Sequence, residues 1–106
     1  MKIFISQPMK GKTLEEIIQR RNAIKEKICK IFNRDDIEIT GLITADDGVT
    51  KRSSCLGKSI QRMSESDLVY FTHDWETAAG CCIEMRVAKN YGFPYYVEGN
   101  SILNDL

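Results

Sequence analysis

Four short runs of β-branched and aromatic residues, separated by stretches with helical spacing, constrain this chain most. Lys2-Ile3-Phe4-Ile5-Ser6 reads as a buried central strand. Ile37-Glu38-Ile39-Thr40-Gly41-Leu42-Ile43 alternates like a half-buried strand, and Asp67-Leu68-Val69-Tyr70-Phe71 and Phe93-Pro94-Tyr95-Tyr96-Val97 supply two more. The order β-α-β-α-β-α-β predicts a doubly wound α/β fold, a parallel sheet with helices on both faces. At 106 residues this is one small domain spanning 1–106, with a tail from about residue 98.

The helices between the strands carry their own signals. Thr13 and Glu16 form the T-x-x-E pattern of a capping box. Leu14, Ile17, Ile18, Ile24, Ile28 and Ile31 recur at helical spacing to about Asn33. Arg21 falls within that stripe, where a long stem covers apolar surface while its head snorkels outward. Residues 44–54 are polar and read as a mobile loop. A second helix is expected from about Cys55 to Ser66, with Leu56, Ile60 and Met63 facing inward. Gly57-Lys58-Ser59 is not a phosphate-binding P-loop, because Arg52 stands where the first glycine is needed and the triplet lies inside a helical pattern. A loop over 72–79 leads to the third helix, which Gly92 ends.

On a helical wheel at roughly 100° per residue, Glu84 lies in the middle of that third helix's apolar face, in its first turn. Gly80, Cys81, Val87, Ala88 and Tyr91 surround it, with Ile83 and Met85 flanking. An ionised carboxylate is costly to bury unless paired or hydrogen-bonded. Either helix N-terminal amides and a nearby Arg or Lys satisfy Glu84, or it lines a ligand cleft. In open parallel sheets ligands sit beyond the carboxyl ends of the strands. That rule sets Gln7–Lys12 opposite His73–Gly80 on one edge, both loops feeding helix N-termini that favour anions.

Composition narrows the partners. Net charge is zero, which argues against a dedicated nucleic-acid polymer binder. Basic residues nevertheless crowd the first 34 positions, a local field suited to an anionic small molecule or simply a solvated helix face. The 4 cysteines, Cys29, Cys55, Cys81 and Cys82, show no spacing typical of zinc, and His73 does not complete a site. No metal or cofactor is expected. Free cysteines without a signal peptide point to a reducing cytoplasm, and Ile3-Phe4-Ile5 is too short for a membrane span. Cys81 and Cys82 have no base placed to serve them and read as small buried packing residues.

Ile3-Phe4-Ile5-Ser6-Gln7-Pro8-Met9-Lys10-Gly11, the Ser66–Phe71 strand, and Gly80-x-x-x-Glu84 followed by Ala88 and Gly92 together resemble the nucleoside 2-deoxyribosyltransferase-like superfamily. That group includes deoxynucleoside 5′-monophosphate N-glycosidases, and the resemblance spans residues 2–97. It implies a flavodoxin-like fold and chemistry at the N-glycosidic bond of a deoxynucleoside or deoxynucleotide. Glu84 matches the family's nucleophile, and Lys10 matches a basic position used for a 5′-phosphate. Beside these, Gln7 and Met9 would line the sugar or base pocket, Gly11 and Gly80 would border it, and Trp75 would stack on the base. Two positions depart from the pattern. Ala78 stands where the family commonly carries Asp or Ser, and Ser59 stands where it carries an acid, with Asp74 or Glu76 as possible substitutes. Small members commonly form homodimers or larger homo-oligomers, a role open here to Tyr95, Tyr96 and residues 100–106.

Three readings follow: an N-glycosidase or deoxyribosyltransferase using Glu84, a non-catalytic nucleotide-binding or sensing module, and a scaffold in which Glu84 merely pairs with Arg21 or another base.

Overall fold

A computed structural model describes residues 1–40 and 52–99, the side chains of 52–56 excepted. The order is β1 (Lys2–Ser6), α1 (Leu14–Phe32), β2 (Glu38–Thr40), α2 (Arg52–Ser64), β3 (Leu68–Phe71), a 3-10 turn (Trp75–Thr77), α3 (Ala79–Tyr91) and β4 (Tyr95–Val97). The strands form one parallel sheet in the order β2-β1-β3-β4. β1 is therefore internal, as its apolar run predicts, with Ile3 opposite Ile39 on one side and Leu68 on the other.

Alternation along the strands builds a core on each face. Ile3, Ile5 and Tyr70 pack with Ile24 and Ile28 of α1 and with Ile37. Phe4, Val69, Phe71 and Val97 pack on the other face with Met63 of α2 and with Met85 and Ala88 of α3. Each such large side chain stabilises the fold by about 1.5–3 kcal/mol, so a few of them offset the cost of burying one polar group. No described helix is long and apolar enough to cross a membrane.

Local chemistry sets the helix ends. The Thr13 hydroxyl accepts from the Glu16 N–H at 3.1 Å and donates to the Glu16 carboxylate at 3.2 Å, so the expected cap forms. Asn33 closes α1 in the left-handed region at φ 52°, and Gly92 does the same for α3 at φ 69°.

Several expectations shift. The line of α1 that meets the sheet is Ile17, Arg21, Ile24 and Ile28, whereas Leu14, Ile18 and Ile31 are 55%, 39% and 52% exposed. A helix of 19 residues is about 28 Å long while a strand of 5 covers about 17 Å, so the end turns carrying Leu14 and Ile31 overhang, and Ile18 falls to the flank. Arg21 does not snorkel: it is 6% exposed, and its Nη2 donates inward to the Thr40 carbonyl. β3 and β4 are shorter than their sequence runs, and β2 begins one residue later than its run. α2 already includes residues 52–54, which the polar pattern had given to a loop; residues 41–51, with the rest of that loop and the end of the β2 run, lie outside the described residues, as does the Leu56 side chain. In α3 the buried line is Cys81, Glu84, Met85 and Ala88, and Tyr91 is 75% exposed at the helix end.

Candidate active site

The site is built where β1 ends. Ser6 is the last residue of β1 and shares the pleat side of Phe4, the side covered by α3. Its hydroxyl donates to Glu84 Oε1 at 2.6 Å, a contact buried between residues 78 apart in the chain. Glu84 is 7% exposed and stands in the second turn of α3, not the first, so the terminal amides of the helix do not reach it. Ser59, one turn before Met63 on α2, is close enough for its hydroxyl to favour the ionised carboxyl as well. Burial pushes the Glu84 carboxyl above its ordinary range, and the Ser6 and Ser59 hydroxyls pull it back only in part. No cation among the described residues pairs with it. The Arg21 pairing is thereby corrected: Arg21 is committed to Thr40, on the opposite side of the sheet from α3.

Burial pushes the thiol of Cys81, one turn before Glu84, up to about 11, against a smaller lowering by the nearby Ser6. A thiol so protonated is a packing residue, as its sequence context suggests. Cys82 is instead exposed, with its Sγ 3.6 Å from the Glu76 carbonyl.

The loops beyond the strands hold the remaining candidates. Gln7 is 3% exposed, and neither its amide nitrogen nor its amide oxygen has a partner among the described residues. Met9 to Lys12 form a turn closed by the Lys12 N–H on the Met9 carbonyl at 3.1 Å, with Gly11 at φ +79°, a backbone state that favours glycine. Lys10 is exposed on that turn. Trp75 is half-buried and meets Phe71 edge-on at 5.9 Å between ring centroids, so part of its surface is spent on the core. Gly80 sits in the first turn of α3, where a Cβ would meet nothing within 4 Å, so packing does not require glycine there. No side-chain hydrogen bond or ion pair among the described residues joins any of these six to the Glu84 carboxyl. What the fold does bring to the Glu84 carboxyl is Ser6, by a hydrogen bond, and Ser59 near enough to favour its ionised form.

Asp74 is not free to assist from the loop. Arg20 grips both its oxygens at 2.7 and 3.2 Å, and Thr72 donates to it at 2.8 Å. The Arg20 guanidinium, aided by Thr72, holds this carboxyl far below its usual range against a smaller cost of burial. Glu98, at the head of the expected tail, is likewise anchored. Tyr70 donates to it at 2.6 Å, and His73 Nδ1 and Lys27 Nζ lie 2.9 and 3.6 Å away. Burial opposes ionisation of Glu98, but these contacts outweigh it and hold its carboxyl low.

Among the described residues no group of three or more His, Cys, Asp or Glu is placed to hold a metal ion. Compared with protein-family models, curated proteins and solved structures, the chain matches none.

Proposed function

We propose that Glu84 is the nucleophile of an N-glycosidic bond-cleaving or deoxyribosyl-transferring site for a deoxynucleoside or deoxynucleotide, on a flavodoxin-like fold of the nucleoside 2-deoxyribosyltransferase-like type. The observation that carries the reading is the buried Glu84 carboxyl, held by the Ser6 hydroxyl and paired with no cation among the described residues, at the carboxyl end of an internal parallel strand. The strand order 2-1-3-4 is the beginning of the flavodoxin-like order, whose ligand crevice opens between β1 and β3. Ser59 adds support, since the position that the resemblance gives to an assisting group is near enough to favour the ionised Glu84 carboxyl.

In this mechanism an oxygen of ionised Glu84 forms a bond to C1′ of the sugar. The C1′–N bond breaks, and the base leaves with that electron pair and takes a proton. Water, or a second base in a transferase, then attacks C1′ and frees the carboxylate. Ser6 and Ser59 stabilise the ionised form before attack and after release. Because burial raises the Glu84 carboxyl, the rate rises with pH through a range above that of an ordinary carboxylate. Lys10, Met9, Gly11, Gln7, Trp75 and Gly80 contribute to substrate binding in this reading, in a reducing cytoplasm, with copies of the chain assembled as a homo-oligomer.

The test is chromatographic release of free base from the common deoxynucleosides and their 5′-monophosphates. Wild type should release base, and Glu84→Ala and Glu84→Gln should lose at least about a thousandfold of that rate, as expected when a covalent nucleophile is removed. Intact substrate throughout would overturn the reading. A non-catalytic nucleotide-binding module is the second reading, favoured by Ala78 and Ser59 at positions usually polar or acidic and by the engagement of Asp74 with Arg20. It expects saturable nucleotide binding without turnover, weakened by Lys10→Ala.

A further inference from the structure

A second cleft, of about 500 Å³, opens on the α1 face at the β2 edge of the sheet. It is lined by Ile18, Arg21, Asn22 and Lys25 of α1, by Ile37–Thr40 and by Arg62 of α2. Its size suits a small organic molecule, and Ile18, Ile37 and Ile39 give it an apolar wall.

Arg21 is the group that gives this cleft a chemistry. Its Nη2 is spent on the Thr40 carbonyl, while its Nη1 has no acceptor among the described residues and is shielded from water. Arg21 is 94% buried, and no carboxylate among the described residues pairs with it; burial alone pushes its guanidinium down to about 10. It remains a cation at neutral pH, enclosed and without a counter-charge among the described residues, a state that costs free energy until an anion joins it. Arg21 lines the cleft, and a small turn of the guanidinium about its Nη2–Thr40 bond brings Nη1 to an anion seated there. Lys25 and Arg62 add positive charge along the walls, and Glu38 is the opposing carboxylate in the lining.

We propose that this cleft binds a small organic anion, its phosphate or carboxylate head on Arg21 Nη1 and its apolar body against Ile18, Ile37 and Ile39. With Nη2 already engaged, Arg21 offers one N–H edge rather than the full fork. This proposal does not rest on the reading of Glu84, and the two sites are separated by the sheet.

Two-dimensional NMR of the full chain, titrated with phenyl phosphate, benzoate and neutral benzyl alcohol, tests it. One or both anions should shift the Arg21 Nε–H and the amides of Ile37, Ile39 and Thr40 saturably, and the alcohol should not; which anion binds tells phosphate from carboxylate. Arg21→Met should weaken binding about tenfold or more, the loss expected for a charge-assisted hydrogen bond. Two exposed positions give a test that does not depend on the buried residue: Lys25→Glu should weaken binding and Glu38→Gln should tighten it, while Glu84→Gln leaves it unchanged. No saturable shift with either anion by about 20 mM, well past a millimolar Kd, would overturn the site. So would equal affinity in Lys25→Glu and Glu38→Gln, or binding retained in a folded Arg21→Met.

Discussion

A carboxyl held by hydroxyls alone answers to pH differently from one held by a cation. Burial raises the Glu84 carboxyl in the folded chain above its value in the unfolded one, so the contribution of Glu84 is fully present at low pH. It declines as pH rises from about 4.3, where the unfolded chain ionises, through the higher folded value. Glu84→Gln keeps an acceptor for Ser6 and cannot ionise. Its Tm relative to wild type should therefore climb across that window and level off above it, by a few degrees for each pH unit that separates the two values. A difference flat with pH would show that Glu84 is not raised. Glu84 itself was legible in the sequence, because a lone carboxylate interrupts an apolar helical face. Its partner was not, because no local pattern aligns the end of β1 with a helix 78 residues away. Arg21 was misread for a related reason. A wheel places a side chain on a face but does not say whether its head turns out to water or in toward a carbonyl such as that of Thr40.

Elements were legible where local chemistry closes them. The Thr13 cap on α1 rests on a hydroxyl accepting the Glu16 N–H at 3.1 Å, and Thr13→Ala should cost about 1 kcal/mol. Thermal unfolding should register this as a Tm lowered by about 4–8 °C, with an unchanged Tm counting against the cap. Gly92 likewise ended α3 as read, through its left-handed backbone. The strand limits and the Trp75–Thr77 turn were less legible. They depend on which backbone groups find a neighbour in the sheet, and on the packing of Trp75 against Phe71, neither of which has a spacing signature.

At the scale of the molecule, the alternation of strand and helix made the parallel sheet and its two covered faces legible, since a right-handed crossover leaves few alternatives. Assembly is a separate matter. Tyr95 and Tyr96, expected at a subunit contact, are partly spent at home. Tyr96 stacks on Tyr70 at 5.3 Å, and Tyr95 meets Phe71 edge-on at 6.2 Å. Among the described residues, the large apolar side chains that are exposed are instead Leu14, Ile18, Ile31 and Phe32 on α1, with Ile83 and Tyr91 on α3. If copies associate, as the proposed function holds, sedimentation at about 100 μM, a concentration at which even micromolar interfaces are filled, should give more than the single-chain mass. A single-chain mass at that concentration would count against the oligomer.

The internal position of β1 also governs the order in which the molecule can be made. Both its partners lie downstream, β2 at Glu38–Thr40 and β3 at Leu68–Phe71, so β1, made before either, waits for β3 before it is flanked on both sides. The Ser6–Glu84 contact waits longer still, for α3. Sites whose halves lie so far apart close late, because distant contacts carry the largest loop-closure cost. A nascent chain stalled before residue 79 has every strand needed to enclose β1 and none of the carboxyl chemistry.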